Sequence, residues 1–280
     1  MKLQPLNPTP PAYHACQPGA PQSGTGTALW TAAIGLAKLL EHRGRSGSFR
    51  GRSCLELGCG TGLVSLVCAA SGAAVVATDI PEIVSDHLAP NLGANEPALA
   101  RLRAAATAAT AATAATAADS KPLTPTRAPS TYPSPPSPPL PAGGHVVGRE
   151  LIWGASDLAP FGDAWDLVVA SDVIYRAEHV PLLLETLRGV VGPSTTCLVA
   201  FDKRGREGVT AFLRALAHRP VGPAAVAGEE AAGVLTVRSV ADSEMPQGFR
   251  FAQFGCVEIR RRKDCGGLDD GATCGEYVKD

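Results

Sequence analysis

One stretch, from Arg52 to Asp79, limits what this chain can fold into more than any other. It opens with a short apolar run, Cys54 to Leu57, that is typical of a buried parallel strand, and three alternate glycines follow it. Leu63 to Ala70 is apolar and long enough for two helical turns. Ala73 to Thr78 predicts a second strand, and the acidic residue Asp79 follows at its carboxyl end. Strand, glycine turn, helix and strand in this order form half of a doubly wound α/β fold, which binds ligands at its strand tips.

The spacing of the glycines indicates which ligand the turn accepts. Gly58, Gly60 and Gly62 follow a G-x-G-x-G pattern, whereas the dinucleotide fingerprint is G-x-G-x-x-G, and no Lys-Ser or Lys-Thr follows to make a P-loop. Glu56 would repel a pyrophosphate but suits a ligand ammonium, and Asp79 has the spacing of an acid that binds a ribose. These features favour S-adenosylmethionine, which carries a ribose, an amine and a carboxylate but no phosphate. They disfavour a nicotinamide oxidoreductase.

Composition excludes several partners. The 280 residues are 45% hydrophobic and carry a net charge of −1, so we expect a sizeable core and neither nucleic acid nor an anionic membrane as partner. Several of the eight cysteines fall in predicted core segments, which favours a reducing compartment, and we expect a cytoplasmic protein. No C-x-x-C pair is present, and no metal site is predicted.

The chain is predicted to hold one domain with an interruption. Residues 1–24, rich in Pro and small polar residues, read as a disordered tail, and residues 263–280 as a second tail. Residues 25–262 form the domain. Within it, residues 97–144 combine an Ala/Thr tract with a Pro-rich tract and predict an insertion in a surface loop.

The remaining segments complete the fold class. Apolar runs predict seven strands that alternate with helices until two late runs, Val234 to Val240 and Phe249 to Ile259. The separator between these two runs is too short for a helical crossover, so they pair antiparallel. The sequence therefore predicts a doubly wound α/β fold whose seven-stranded, mostly parallel sheet ends in an antiparallel hairpin.

The chain resembles the seven-β-strand, class I protein-lysine methyltransferases of the methyltransferase-like family (methyltransferase family 16). The similarity lies in short blocks at predicted strand ends and in the first helix: Gly26 to Trp30, Gly51 to Val64, Ala77 to Glu82, Asn91 to Asn95, Leu151 to Gly154, Ala170 to Tyr175 and Phe201 to Arg204. The glycine loop is common to all class I enzymes. The L-x-W-G block and the D-x-x-Y motif preceded by Ala-Ser are more specific to this family.

The resemblance implies an S-adenosylmethionine-dependent enzyme that methylates a lysine of a protein substrate, such as a chaperone or a translation factor. We expect a monomer. The candidate cofactor-binding residues are Trp30, Glu56, Gly58, Gly60, Gly62, Asp79, Trp153 and Ser171. Asp172 is expected to orient the target amine, and Tyr175 to add an aromatic wall. Three alternatives stay open: a small-molecule methyltransferase, a non-catalytic cofactor-binding partner, and Asp172 as a mere helix N-cap.

Overall fold

The computed structural model describes residues 25–116, 144–154, 157–162, 164–203, 207–217, 235–246 and 252–261. Both predicted tails lie outside these residues, as do Arg204 and the larger part of the predicted insertion. In the described part of the chain, no helix has the length and apolar character needed to cross a membrane.

The described strands form one seven-stranded sheet in the order β3-β2-β1-β4-β5-β7-β6. Neighbouring strands from β3 to β5 run parallel, while β7 is antiparallel to both β5 and β6. The strands are β1 (Ser53–Leu57), β2 (Ala74–Asp79), β3 (His145–Glu150), β4 (Leu167–Ser171), β5 (Thr196–Asp202), β6 (Leu235–Ser239) and β7 (Phe254–Arg261). The predicted seven strands and the antiparallel C-terminal pair are confirmed.

The helices cover both faces of the sheet, because strand side chains alternate between the faces. Leu55 and Leu57 join the apolar layer beneath α5, whereas Cys54 and Val75 join the layer beneath α1 and α2. The helices are α1 (Thr31–Gly44), α2 (Leu63–Ala70), α3 (Pro81–Ile83), α4 (Ala89–Thr116), α5 (Val180–Val190) and α6 (Glu207–Ala217). A π-helical turn, Val84–Leu88, joins α3 to α4.

The strand order places the ligand site. From β1 the chain proceeds to β2 and β3 on one side and later to β4 and β5 on the other. The crossovers therefore diverge between β1 and β4, and such a switch point opens a crevice at the carboxyl ends of the strands. Glu56 of β1 pairs in register with Val169 of β4, so the glycine loop and the D-x-x-Y motif leave the sheet side by side.

The helix after β2 is longer than its sequence pattern indicates. The predicted insertion starts at Pro97, but Pro97 lies inside α4, and the next two residues, Ala98 and Leu99, are buried. Arg103 Nη1 also donates to the Gly144 carbonyl oxygen, 3.0 Å away. The packed body therefore includes the first residues of the predicted insertion, and high helix propensity lets α4 continue beyond this buried part.

Two element boundaries differ from the sequence pattern near the site. The pattern predicts a first helix from Thr27 with Trp30 in its first turn, but α1 begins at Thr31 and Trp30 precedes it in extended backbone. The third strand is predicted to reach Trp153, but β3 ends at Glu150, which leaves Leu151 to Trp153 as a loop over the strand tips. As a result, Trp30 and Trp153 both lie outside helices and strands.

Candidate active site

A cleft of about 660 Å³ opens at the carboxyl ends of β1, β2 and β4. A volume of this size is typical of a pocket for a small molecule or cofactor. Its walls contain all but one of the residues that the sequence predicts for the site: Trp30, Glu56, Gly58, Gly60, Asp79, Trp153, Ser171, Asp172 and Tyr175. Gly62, although described by the structure, lies outside the lining.

The glycine loop needs glycine for conformational and steric reasons. Gly58 and Gly60 have φ values of +67° and +53°, a region that residues with a Cβ rarely adopt. A Cβ on Gly58 would lie 2.6 Å from Val173 Cγ1, and one on Gly60 would lie 3.0 Å from the Gly26 carbonyl oxygen. Gly62, at φ +83°, instead packs against Leu88, where a Cβ would lie 2.6 Å from its Cδ1 atom. Two glycines therefore shape the cleft, and the third packs the start of α2 against the π-helical turn.

Glu56 is a buried carboxyl group in the wall of the cleft, with 1% of its surface exposed. Its Oε2 atom accepts hydrogen bonds from the Ser65 hydroxyl and from the Ser65 amide, the latter at 2.9 Å. Burial raises the pKa of Glu56 to about 8, against the opposing effect of the Ser65 hydrogen bonds. Without a cation beside it this group is therefore protonated at neutral pH, and a bound cation favours its carboxylate form.

Asp79 ties the glycine loop to the tip of β2. Its Oδ2 atom accepts a hydrogen bond from the Gly60 amide at 2.8 Å, and its Oδ1 atom accepts one from the Ile80 amide at 2.9 Å. Partial burial raises its pKa, although both amide hydrogen bonds act to lower it. Each carboxylate oxygen has two lone pairs, so both oxygens retain an acceptor position for a ligand hydroxyl.

Asp172 follows β4 in an unusual backbone conformation. Its φ is +56°, the only positive value for a non-glycine residue in the described chain. Aspartate tolerates this region better than most residues, and such strained positions cluster at functional sites. The Asp172 amide donates to the Ala200 carbonyl oxygen at 2.9 Å, and the carboxylate atom Oδ1 accepts from the Asp202 amide at 3.4 Å. The tip of β5 therefore holds Asp172 through both its backbone and its side chain.

The helix-cap alternative for Asp172 is wrong. The next helical turn, Ala177–His179, has Arg176 at its N-cap, and α5 has His179 there. Asp172 lies before both caps, and neither cap residue forms a side-chain cap hydrogen bond. Its carboxylate faces the cleft lining and the β5 backbone instead.

Aromatic side chains form the ends of the cleft. Tyr175 meets His179 edge to face, with ring centroids 6.0 Å apart, and both line the cleft beside Asp172. Trp153 lies over the glycine loop, since a Cβ on Gly58 would come within 3.3 Å of its Cζ2 atom.

Sequence reasoning gave no site role to several lining residues, although it expected Ile152 to lie near the cofactor. His179 and four exposed apolar residues also line the cleft: Leu29, Ile80, Ile152 and Leu182. Leu182 of α5 lies three positions after His179, the N-cap of that helix, and this helical spacing was interpreted only as core packing. Leu29, Ile80 and Ile152 lie in short connections, where no periodicity indicates which way a side chain points.

The charges of the lining fit S-adenosylmethionine. Three carboxyl groups face the cleft, from Glu56, Asp79 and Asp172, and no described lining residue is Lys or Arg. Such a lining suits a ligand with cationic sulfonium and ammonium groups, and none of its described side chains carries a positive charge for a pyrophosphate. Among the residues that the structure describes, no group of three or more His, Cys, Asp or Glu side chains is arranged to hold a metal ion.

Sequence comparisons with known proteins identify the family of this chain. The model of the lysine methyltransferase family matches residues 19–109 and 141–219, more than half of the chain. EEF1A lysine methyltransferase 3 of Mus musculus is 28% identical over 69% of this chain and 62% of that protein. Protein N-lysine methyltransferase METTL21A of Danio rerio is 30% identical over 63% of this chain and 61% of that protein. The chain thus spans less than two thirds of the length of these relatives.

One solved structure is similar to this chain at a lower level. Magnesium protoporphyrin IX methyltransferase from Synechocystis PCC 6803, solved with bound SAM, has a TM-score of 0.45 and 14% identity, over 83% of this chain and 80% of that chain. A likeness at this level identifies neither a ligand nor a substrate. The family assignment instead follows from the matched residues, which include the glycine loop, the tip of β2 and the D-x-x-Y motif. The chain belongs to the lysine methyltransferase family.

Proposed function

We propose that this protein is an S-adenosylmethionine-dependent methyltransferase that modifies a lysine side chain of another protein. The observation that carries the proposal is the shared cleft. It joins a glycine loop and two carboxyl groups at the tips of β1 and β2 to a third carboxylate at the tip of β4. The family membership and the two relatives named as protein or EEF1A lysine methyltransferases support the choice of lysine.

The tips of β1 and β2 would hold the cofactor. Asp79 offers acceptors to the ribose hydroxyls, and Glu56 offers a carboxylate to the ammonium group. Gly58 and Gly60 let the backbone approach the ligand, while Trp30, Trp153 and Ser171 complete the walls. When bound, S-adenosylmethionine supplies a methyl group carried on a sulfonium.

The tip of β4 would handle the target amine. A lysine has an ordinary pKa of about 10.4, so only about one side chain in a thousand is neutral and nucleophilic at pH 7. Asp172 would accept a hydrogen bond from the amine nitrogen and orient it, and Tyr175 would present its ring to the cationic form. The site would gain most of its rate from orientation, because holding two reactants in line can lower a barrier by several kcal/mol.

The protein substrate, location and assembly state belong to the same proposal. EEF1A is the first substrate to test, because relatives from Mus musculus and Xenopus tropicalis carry it in their names. A monomer in the cytoplasm is proposed. The five described cysteines are all free thiols in buried positions, which suits a reducing compartment.

The test is a methyl-transfer assay with mass spectrometry. The purified full chain is incubated with isotopically labelled S-adenosylmethionine and either EEF1A or a cell lysate, and labelled residues are then located. Label on lysine nitrogen supports the proposal. Label on small molecules alone would indicate a small-molecule methyltransferase, and binding of S-adenosylmethionine without any transfer would indicate a non-catalytic partner.

A further inference from the structure

The mouth of the cleft is apolar where a globular surface is usually polar. Six large apolar side chains are exposed in the described residues, and four of them line this one cleft: Leu29, Ile80, Ile152 and Leu182. Their exposed fractions run from 42% to 61%. We call these four side chains the apolar rim. They come from four separate segments of the chain, and exposed apolar clusters of this kind mark interaction sites.

Leu182 stands on the side of the rim nearest the target amine. It lies three residues after His179 on the start of α5, and His179 packs against Tyr175 of the D-x-x-Y motif. Leu182 is also held in place, because a Cβ on Gly154 would lie 2.5 Å from its Cδ2 atom. The Gly154 amide donates to Thr186 Oγ1 at 3.1 Å, which fixes the same turn against α5. Leu182 is therefore a fixed surface feature beside the proposed reacting centre.

The floor of the cleft is acidic, whereas its rim is apolar. The floor carries the carboxyl groups of Glu56 and Asp79, which the proposed function assigns to the cofactor, and of Asp172, which it assigns to the target amine. The charged side chains just before α5, Arg176 and Glu178, pair with each other at 3.3 Å. A segment crowded with Lys and Arg would need an acidic rim, whereas this rim offers apolar contact around an acidic floor.

We propose that the apolar rim receives the protein segment that carries the target lysine, and that it selects a lysine flanked by apolar side chains over one in a basic or polar segment. This proposal rests on the proposed function and specifies the substrate class of the same site. The lysine enters the acidic floor, and the neighbouring apolar side chains leave water on contact with Leu182 and Leu29. Leu182 then sets specificity and substrate affinity and takes no part in the methyl transfer.

The test uses short synthetic peptides with one central lysine and labelled S-adenosylmethionine. Four peptides carry Leu, Ser, Glu or Arg on both sides of the lysine. Wild-type protein is compared with Leu182→Ser, with Leu182→Arg and with the control Leu102→Ser. Leu102 has a similar exposed fraction, 45%, but lies on α4 away from the cleft. Cofactor affinity and melting temperature are measured for every variant.

The expected results separate docking from folding. The wild-type protein and Leu102→Ser should prefer the Leu-flanked peptide about tenfold. Leu182→Ser should lose that preference through a higher KM for this peptide. Leu182→Arg should shift the preference towards the Glu-flanked peptide. Equal transfer to all four peptides by the wild-type protein, or an unchanged preference in both Leu182 variants, would overturn the proposal. If only lysate proteins accept label, the labelling by Leu182→Arg is compared with that by the wild-type protein. Unchanged labelling overturns the proposal, and a loss that a higher lysate concentration restores supports it.

Other occupants of the rim give different outcomes. A wild-type dimer in sedimentation that Leu182→Arg abolishes would show that a second copy of the chain covers the rim, and cosedimentation with phosphatidylcholine vesicles lost in that variant would show a lipid surface. Either result overturns the proposal while leaving lysine methylation intact. Absence of label on lysine in every peptide and lysate protein contradicts the proposed function itself, and the rim proposal falls with it.

Discussion

The two sides of the cleft are held in different ways. At the tips of β1 and β2, carboxyl groups bond to nearby backbone amides: Asp79 to Gly60 and Glu56 to Ser65. At the tip of β4, Asp172 occupies a left-handed backbone conformation and is held by β5, 30 residues further along the chain. Hydrogen bonds between residues 9 and 19 positions apart build the first side, whereas a hydrogen bond between residues 30 positions apart, across the neighbouring strands β4 and β5, builds the second. Changes on the first side should therefore act on cofactor binding, and changes on the second on turnover.

The largest effect is expected from Gly60→Val, which tests the first side. Valine at this position would have to adopt φ +53°, and its side chain would meet the Gly26 carbonyl oxygen. It would also disturb the hydrogen bond that the residue 60 amide donates to Asp79. S-adenosylmethionine affinity measured by calorimetry should fall strongly, because the added side chain would occupy space where the backbone approaches the ligand.

Gly51→Val is the matched control for this change. Gly51 has a similar φ of +69°, but nothing lies within 4 Å of its added Cβ. It should lose stability from backbone strain and keep cofactor affinity. Equal loss of affinity in both variants would show that strain, rather than the cleft, explains the result.

Glu56→Gln should change the pH dependence of stability. A raised folded-state pKa means that the folded protein holds its proton more tightly than the unfolded chain. The stabilising contribution is therefore fully present below pH 4.5 and is lost as the pH rises towards about 8. Urea unfolding of the empty wild-type protein should show a free energy that falls by up to about 1.4 kcal/mol per pH unit across this window from Glu56 alone.

The Gln variant should lose most of this slope, and Asp79→Asn should remove the smaller part that Asp79 adds in the same direction. Cofactor affinity of the wild-type protein should tighten as the pH rises from 6 to 8, since the ammonium group favours the Glu56 carboxylate. A slope identical in wild type and Glu56→Gln would contradict the buried, protonated state of this group.

A smaller effect is expected from shortening the segment after β2. Removing residues 110–140 and joining the ends with a Gly/Ser linker retains every residue that matches the family, and it should leave S-adenosylmethionine affinity unchanged. Loop length itself costs only about 0.6 kcal/mol per doubling. Removing residues 97–144 instead deletes the buried Ala98 and Leu99, and the melting temperature should fall by roughly 5–10 °C. Equal melting temperatures of the two deletions would show that this part of α4 does not contribute to stability.

The difference between the two sides also explains what the sequence could reveal. The strand, glycine turn, helix and acid of the first side lie in one continuous stretch, so their spacing predicts both the fold and the ligand class. The D-x-x-Y motif was identified by resemblance, but its surroundings come from β5 and α5, which no local spacing connects to it. The apolar rim was missed because Leu29, Ile80 and Ile152 lie in connections without periodicity. Residues 97–144 were interpreted as an insertion because their composition changes abruptly, yet α4 continues through Pro97.

The central claim is that Asp172 acts on the target amine and not on the cofactor. Removing its side chain with Gly is cleaner than with Ala, because Gly accepts φ +56° without strain whereas Ala loses about 1 kcal/mol there. Asp172→Asn keeps the shape of the side chain and tolerates the same backbone conformation.

The decisive measurement compares turnover with S-adenosylmethionine affinity in Asp172→Gly, Asp172→Asn and the wild-type protein. We predict that Asp172→Gly keeps cofactor affinity within a few-fold and loses turnover about a hundredfold. Asp172→Asn should recover part of the turnover, by the amount that orientation contributes without charge. An Asp172→Gly protein that methylates at the wild-type rate, or one that loses cofactor affinity and turnover in equal proportion, would contradict the division between the two sides of the cleft.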